Sequence, residues 1–337
     1  MTDLLKKLTS IPAVSGNEEG LRDFILKEVS DFAECRVDKN GNIICFKKGK
    51  KPAVKKVMLD AHMDEVGLIA SSYTSDGFIK FQTVGGIDTS VMLCRSVIFE
   101  NGVPGVIGLK PVHLSSKEER KKLPEVDSLY IDIGASSEQE AKELVKLGTT
   151  AVFESDFIKF SNNTFKARAI DDRAGCAILI NLLKEDAEYD FYGVFSVLEE
   201  VGTRGARTAA YEIDPDAAIV LEATTAADLH GIEKENTVCK LSCGPAISFM
   251  DRATLYDRRL YNEALSSSVK CQVKSMVAGG NNAGAIHLTR SGIPTLAISV
   301  PCRYIHSPSC VASFEDINNA LLLSKEILEK IASGKIV

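Results

Sequence analysis

Two histidines and several carboxylates in this chain follow short apolar runs, where they could form one chemical site. The run KKVMLDAH ends at His62, and Asp64 comes two residues later. Comparable positions elsewhere in the chain hold the remaining polar residues: Asp171, Asp172, Glu199, Glu200, Glu222 and His306. Each has an ordinary structural explanation, such as a helix N-terminus for the Asp pair or a solvated turn for the Glu pair. A single shared site explains all of them together.

This set offers nitrogen and oxygen ligands without thiolates. Such a shell suits Zn, Co or Mn, and it disfavours iron–sulfur clusters. It exceeds the needs of one catalytic zinc, and it matches two divalent metals about 3.5–4 Å apart that share a bridging carboxylate. The pattern therefore predicts hydrolytic chemistry. One of Glu199 and Glu200 is left over to carry a proton from water to the leaving group.

The sequence predicts that the helices and strands that position these residues form an α/β domain. After residue 166, apolar strands alternate with helical patterns, which predicts a sheet with helices on both faces. Strand-like runs include YDFYGVFSVLEE, AAIVLE, CQVKSMV and TLAISVP, and helical runs include DDRAGCAILINLLKE, DRRLYNEALSSS and SFEDINNALLLSKEILEKIAS. In such sheets, sites form outside the carboxyl ends of the strands, where the polar residues named above are found.

Between residues 66 and 165 the pattern changes to short β-like segments separated by Gly and Pro. Regularly spaced short strands predict a small β-barrel or sandwich. The organisation predicted is an α/β domain made from residues 1–65 and 166–337, with a β-rich domain of residues 66–165 inserted into it. Asn40-Gly41, between two apolar runs, also predicts a hairpin before the insertion.

The composition and charge of the chain disfavour several classes of protein. The chain has 337 residues, a net charge of -6 and 26% charged residues, which disfavours non-specific nucleic-acid binding. No apolar run approaches the roughly 18–20 residues of a membrane span, and the N-terminus does not resemble a secretion signal. We therefore expect a cytoplasmic protein. Its nine cysteines form no CxxC pair. The closest two, Cys239 and Cys243 in CKLSC, are predicted to lie in a strand, and free thiols are the expectation.

In its motifs, the chain resembles the M42 family of metallo-aminopeptidases. This family includes glutamyl aminopeptidases, TET aminopeptidases and proteins named endoglucanase M. The resemblance covers nearly the whole chain. It is carried, in family order, by AHMDEVG, GVIGLKPVHLSSKEERKK, ARAIDDRAG, LEEVGTRGA, GGNNAGAIHLTRSGIPT and RYIHSP.

The resemblance implies a role for each candidate residue. Asp171 would bridge two divalent metal ions, Zn or Co, with Mn as a further candidate. Glu200 and His306 would complete one metal site, and His62 and Glu222 the other. The catalytic residues would be Glu199, as the base that activates a bridging water and then the acid, and Asp64, which orients the His62 imidazole. The resemblance also implies a cis peptide bond between Asp171 and Asp172.

The expected activity is the release of N-terminal residues from peptides with a free amino terminus. In similar enzymes the inserted β-domain helps assemble homo-oligomers, so a dodecamer or a dimer is expected. No nucleic-acid or membrane partner is expected. The preferred N-terminal residue is left open, because Lys, Glu and Leu preferences all occur in similar enzymes.

Two positions depart from the family pattern. Glu222 stands where Asp is usual, so its longer side chain must fold back to reach a metal. Asn281-Asn282 stands where a Thr-Asp pair is usual, which removes a negative charge expected near the pocket.

These departures keep an alternative open, a catalytically altered or non-catalytic relative. An endoglucanase is a weaker alternative: paired carboxylates can cleave glycosides, but the two histidines would then have no role, and the chain has no Trp for stacking on sugars.

Overall fold

A computed structural model describes residues 1–337, with the exception of the Lys234 side chain. The helices are α1 Thr2–Ser10, α2 Glu19–Val29, α3 Glu138–Leu144, α4 Ile170–Lys184, α5 Arg204–Ile213, α6 Arg258–Leu265, α7 Ala283–Ile286 and α8 Phe314–Ala332. The strands are β1 Glu34–Val37, β2 Ile43–Lys47, β3 Val57–His62, β4 Gly67–Tyr73, β5 Ile79–Val84, β6 Ser96–Phe99, β7 Pro104–Gly108, β8 Tyr130–Asp132, β9 Thr150–Phe153, β10 Ile158–Lys159, β11 Thr164–Ala167, β12 Phe191–Ser196, β13 Ala217–Thr225, β14 Ala246–Ile247, β15 Gln272–Val273, β16 Thr295–Arg303 and β17 Cys310–Ser313.

The large sheet is mixed, and its centre is parallel. Its strand order is β1-β2-β12-β3-β13-β16-β17-β11-β10, with β14 and β15 alongside β16. Strands β12, β3, β13 and β16 run parallel to one another, and the strands on either side of them are antiparallel. Strand β3 is buried at every position, as expected for a parallel strand covered on both faces. This arrangement brings four strand carboxyl ends to one edge.

Helices cover both faces of this sheet. Helices α4 and α8 pack on one face, within a core that includes Leu59, Leu179 and Ile327. Helices α5 and α7 pack on the other face, around Ala209 and Ile286. Helix α8 is capped by Ser313, whose hydroxyl accepts a hydrogen bond from the Glu315 amide, which satisfies one of the free N–H groups at the helix start.

The inserted segment forms a closed antiparallel barrel of six strands, ordered β4-β5-β8-β7-β6-β9. Closure removes the exposed strand edges that an open sheet would leave. The barrel has its own apolar core, which includes Phe81, Phe99 and Ile131. The α/β class with an inserted barrel is thus confirmed. The exact domain limits at 65/66 and 165/166 stay a prediction. Strands β10 and β11, which begin before residue 166, pair within the large sheet and not within the barrel.

Two local expectations were wrong. The segment CKLSC, read as a strand, contains no strand, and its residues lie in loop and turn conformations. The thiols of Cys35 and Cys45 were expected to be free, but the two residues form a disulfide. The predicted Asn40-Gly41 hairpin explains this pairing, because its register sets Cys35 directly opposite Cys45 on β1 and β2. Across residues 1–337, no helix combines the length and the apolar character that a membrane crossing requires.

Candidate active site

The candidate site lies at the carboxyl edge of the four parallel strands. His62 is the last residue of β3 and pairs with Ser196, the last residue of β12, three residues before Glu199. Glu222 lies within β13, opposite Ser299 of β16. His306 follows β16 by three residues. Strand pairing therefore brings together residues that lie far apart in the sequence.

His62 is almost completely buried. Its Nδ1 is 3.0 Å from the backbone oxygen of Asp64 and 3.5 Å from the Asp64 carboxylate. Its Nε2 lies 3.1 Å from Asp171 Oδ1 and 3.4 Å from Glu222 Oε1. Burial alone would lower the pKa of His62, but Glu222, Asp171 and Asp64 together raise it well above its usual value.

His306 repeats this arrangement on the other side of Asp171. Its Nε2 is 3.3 Å from Asp171 Oδ2 and 3.3 Å from Glu200 Oε1. Its Nδ1 is 2.7 Å from the backbone oxygen of Gly86, in the loop that follows β5 of the barrel. Burial would lower the pKa of His306, but Asp171 and Glu200 raise it to about 11.

Asp171 therefore faces both imidazoles, with one carboxylate oxygen toward each. We call His62, Glu222 and Asp171 Oδ1 the His62 half-site, and His306, Glu200 and Asp171 Oδ2 the His306 half-site. Burial would raise the pKa of Asp171, yet the hydrogen bonds from His306 and His62 hold it below its ordinary range. Asp171 is consequently an anion that lies between two potential cations.

The donor set fits divalent metal ions. In each histidine, Nδ1 is positioned to donate to a backbone carbonyl, which leaves the Nε2 lone pair directed at carboxylate oxygens. That arrangement is favourable only when a positive charge, either a proton on Nε2 or a metal ion, lies between the groups. Two sets of three donor atoms lie close enough together to hold one ion: His62 with Asp171 and Glu200, and His62 with Asp172 and Glu222. Glu200 Oε1 is also buried without a hydrogen-bond partner among the described residues.

Asp64 holds the turn that carries the two glutamates. Its carboxylate accepts hydrogen bonds from the Glu199 amide at 3.0 Å, the Glu200 amide at 3.1 Å and the Ser15 hydroxyl at 2.6 Å. The carboxylate is thus occupied with this turn, and the Asp64 backbone oxygen is the nearer acceptor for the His62 ring. The assignment of Asp64 as the residue that orients His62 stays a prediction.

Glu199 lies on the same cleft as both half-sites. Burial, reinforced by the neighbouring carboxylates of Glu200 and Asp171, raises the pKa of Glu199 to about 8. The nearby His62 opposes this shift only partly. A carboxyl group with such a pKa can both accept and return a proton near neutral pH.

Strained backbone marks three of the turns that bear the site. Ala169, Leu198 and His306 have φ values of 51°, 59° and 57°, a left-handed conformation that residues other than Gly adopt at some energetic cost. The first two directly precede the segments that carry Asp171, at the start of α4, and Glu199. The peptide bond between Asp171 and Asp172 is cis, as the sequence analysis predicted.

The two departures from the family pattern have different structural consequences. The Glu222 side chain folds back, and its Oε1 accepts a hydrogen bond from the Ala223 amide at 3.1 Å. Asn282 is not among the residues that line the cleft, and the effect of its charge loss on the pocket stays a prediction. Its side chain is buried and donates to Asp60 Oδ2 at 2.7 Å and to Ser196 Oγ at 2.9 Å. The expected aspartate would have placed a second carboxyl group against Asp60.

Several supporting contacts were not identified from the sequence. Asp172 accepts hydrogen bonds from the amides of His62 and Gly175, which ties the start of α4 to the end of β3. Glu65 forms a buried ion pair with Arg168 and Arg173 beside the site. The motifs AHMDEVG and ARAIDDRAG contain all of these residues, but their pairing becomes visible only in the fold.

A cleft of about 270 Å³ opens over the half-sites, which is close to the lower limit of the usual size range for small-ligand sites. Its lining comprises Asp171, Glu199, Glu200, Glu222, Ala223, Thr224, Thr225, Lys274, Ala278, Gly279, Gly280, Asn281, Ser299, Ile305 and His306.

Comparisons with known proteins agree with this geometry. The sequence profile of the family described as M42 glutamyl aminopeptidase matches residues 41–323. A lysyl aminopeptidase from Pyrococcus furiosus is 34% identical over 343 residues, covering 98% of this chain and 97% of the relative.

Solved structures agree as well. A TET aminopeptidase from a marine-sediment Thaumarchaeota archaeon superposes with a TM-score of 0.94 at 33% identity, covering 99% of this chain and 97% of that one. The TET1 peptidase of Pyrococcus horikoshii gives a TM-score of 0.85 at 33% identity, with 98% and 99% of the two chains covered. That protein is described as assembling into a tetrahedron or a large octahedral shell.

Proposed function

The chain belongs to the M42 family of aminopeptidases, and on that premise we propose that it is a metal-dependent aminopeptidase with a dinuclear centre. The observation that carries the proposal is the position of Asp171, whose two oxygens each face a different histidine at 3.1 and 3.3 Å. Each histidine also has a carboxylate of its own. This is the arrangement required of a bridging ligand between two metals.

The proposed ligands are His62 and Glu222 in one half-site, His306 and Glu200 in the other, and Asp171 between them. Bound Zn or Co, or alternatively Mn, would polarise a substrate carbonyl and make water a stronger acid. In this proposal, Glu199 does not bind a metal. It takes the proton of the attacking water and delivers it to the leaving amine, a role that suits its raised pKa.

Asp64 is proposed to act through position. Because its carboxylate holds the amides of both Glu199 and Glu200, it fixes the base relative to the metal ligand that follows it. Ser15 secures Asp64 in turn. These hydrogen bonds maintain the turn in the geometry that proton transfer requires.

The substrates proposed are peptides with a free N-terminus, and the assembly proposed is a large homo-oligomeric shell. The description of the Pyrococcus horikoshii relative as a tetrahedron or octahedral shell supports this assembly, and it does not favour a dimer. Exposed apolar residues between β7 and β8, among them Val112, Leu114 and Leu123, are suited to contact a second copy of the chain.

The endoglucanase alternative is not favoured, because it gives the two histidines no role. The non-catalytic alternative depended partly on Asn282. That position now has a structural explanation, since its amide donates a hydrogen bond to the buried carboxylate of Asp60.

The test is an assay of the metal-stripped protein after reloading with Zn or Co. Aminoacyl anilides should be cleaved only by the loaded protein, and their N-acetylated counterparts should not be cleaved. Two bound metals without cleavage of any aminoacyl substrate would contradict the proposal.

The role of Glu199 is tested separately with Glu199→Gln. We expect kcat to fall roughly 10²- to 10⁴-fold while two metals remain bound, because the amide keeps the shape but loses the proton carrier. A variant that keeps its kcat, or that loses its metals, would refute the assignment of Glu199 as base and acid.

A further inference from the structure

The turn that carries Glu199 is held by side chains from distant parts of the chain. Strand β12 ends at Ser196, and we call the four residues that follow, 197–200, the base turn. Each of its four amides donates a hydrogen bond to a side-chain oxygen: Val197 to Asn42 at 3.0 Å, Leu198 to Glu18 at 3.3 Å, and Glu199 and Glu200 to Asp64 at 3.0 and 3.1 Å. The position of Glu199 therefore depends on three side chains that lie outside the turn.

Of these three side chains, Glu18 has no other evident task. Asn42 also bonds to Asp38 and to the backbone oxygen of Gly205, so it serves the hairpin and α5 as well. Glu18 directly precedes α2, where a carboxylate commonly accepts amides of its own helix, but its side chain makes no such bond. Its Oε1 instead accepts the Leu198 amide, 180 positions away in the sequence.

Glu18 is also buried, with only 6% of its surface exposed. Carboxylates are rarely buried unless hydrogen bonds compensate for the lost water. The second hydrogen bond to Oε1 comes from the amide of Gly16, at 2.9 Å. Both of these bonds join the segment before α2 to the base turn, so the Glu18 side chain is directed at that turn.

Leu198 is the residue of the base turn at which a restraint matters most. Its φ of 59° lies in the left-handed region, which costs energy for a residue with a side chain. Its backbone oxygen accepts the Arg204 amide at 3.1 Å, and its amide is held by Glu18. Without Glu18, Leu198 could relax toward an ordinary conformation. Such a rotation would displace Glu199, the next residue in the chain.

The segment that carries Glu18 is itself fixed to the rest of the molecule. The Glu65 amide donates to the Ala13 backbone oxygen at 2.9 Å. The Asn17 side chain donates to the Thr150 hydroxyl at 2.8 Å, on β9 of the barrel. Because both domains hold this segment, Glu18 can impose a position on the base turn.

We propose that Glu18 is a positioning residue for Glu199. By holding the Leu198 amide, it keeps the Glu199 carboxylate where it can take the proton of the attacking water. Metal binding should not depend on Glu18, because Asp64 holds the amide of the proposed ligand Glu200. The inference rests on the proposed function and adds a residue to its proton-transfer step.

The experiment compares the Zn-loaded wild type with Glu18→Leu and Glu18→Gln, using the aminoacyl 4-nitroanilide that the wild type cleaves fastest. In Glu18→Leu, we expect kcat to fall about 10- to 100-fold, because small displacements of a catalytic group are that costly. KM and the content of two metal ions should not change, so kcat/KM should fall by the same factor as kcat. Glu18→Gln keeps an acceptor oxygen for the Leu198 amide, and its kcat should stay within about threefold of the wild type.

A second measurement does not use turnover. Amide hydrogen exchange in the metal-free protein should be about 10-fold faster at Leu198 in Glu18→Leu, because one hydrogen bond is lost. Glu18→Gln should leave this rate nearly unchanged. The matched control is Glu19→Leu, because Glu19 is the next residue and is exposed; it should change neither exchange nor kcat.

Three results would overturn the inference. The first is a wild-type kcat in Glu18→Leu despite faster exchange at Leu198, and the second is the loss of a metal ion from that variant. The third is a fall in Glu18→Gln as large as in Glu18→Leu, which would assign the effect to the charge. If Glu18→Leu does not fold, Glu18→Asp replaces it, since it keeps the charge on a shorter side chain and should show the same fall. A metal-loaded wild type that cleaves no aminoacyl substrate would instead refute the proposed function, and this inference with it.

Discussion

The two half-sites around Asp171 have similar ligands but very different surroundings. The His62 side chain is 1% exposed and lies at the end of a strand that is hydrogen-bonded on both sides. The His306 side chain is 31% exposed and lies in a loop with a left-handed backbone. The sheet thus defines the first half-site, whereas loop contacts define the second.

One of those loop contacts comes from the barrel. The backbone oxygen of Gly86 holds the His306 ring, and Gly85 lies close to the Glu200 side chain, with 3.3 Å between a β-carbon built at Gly85 and Glu200 Cβ. The His306 half-site therefore depends on the inserted domain, while the His62 half-site is built from the α/β domain. This difference shows that an insertion can contribute contacts to a candidate metal site as well as extend a surface.

The change with the largest expected effect removes the ligand that the half-sites share. In Asp171→Asn, we expect the affinity of both half-sites for Zn to fall by more than about 100-fold, because losing even an outer hydrogen-bonding partner costs 10- to 100-fold. Turnover should fall to background. Metal analysis after dialysis should find neither ion. Retention of one tightly bound ion would show that Asp171 serves a single half-site.

Replacing each histidine in turn should separate the half-sites. His306→Ala should lose one ion and leave the metal-free fold nearly as stable as before. His62→Ala should lose the other ion and also lower the unfolding free energy of the metal-free protein by about 1–3 kcal/mol, since buried carboxylates are left without their partner.

Metal analysis and urea unfolding measure these two effects. His230→Ala, at an exposed position outside the site, should change neither quantity. Equal destabilisation by the two site variants would contradict the contrast in burial described above.

The smallest expected effect tests the contribution of the barrel. Gly85 has φ of 80°, and a β-carbon there would lie 2.7 Å from Val66 Cγ1. Gly85→Ala should therefore shift the loop and weaken metal binding in the His306 half-site about 10-fold, leaving the His62 half-site unaffected. Gly102→Ala is the matched control, because Gly102 has φ of 87° with no heavy atom within 4 Å of the added carbon. Competition titration with a chelator measures both affinities. Equal effects of the two variants would show that the barrel does not contribute to metal binding in the His306 half-site.

The sequence was most informative where regular structure decides position. Apolar runs that end at His62 and Glu222 identify strands whose carboxyl ends meet, so clustering was predictable. The Cys35–Cys45 bond could also have been predicted, because the Asn40-Gly41 hairpin places the two residues opposite each other. The expectation of free thiols came instead from the general rule that disulfides are rare in reducing compartments.

Contacts that depend on tertiary structure were not predictable. Gly86 reaches His306 across 220 positions of sequence, and Asn282 reaches Asp60 across 222. Neither pairing follows from local periodicity. The burial of Lys274 belongs to the same class, because nothing in the stretch CQVKSMV distinguishes an inward lysine from a solvated one.

The most direct test of the central claim is anomalous diffraction at the Zn absorption edge from crystals of the Zn-loaded protein. The account predicts two peaks flanking the Asp171 carboxylate. One should be shared with His62 and Glu222, and the other with His306 and Glu200. A single peak, or two peaks that do not both contact Asp171, would contradict the dinuclear centre proposed for this chain.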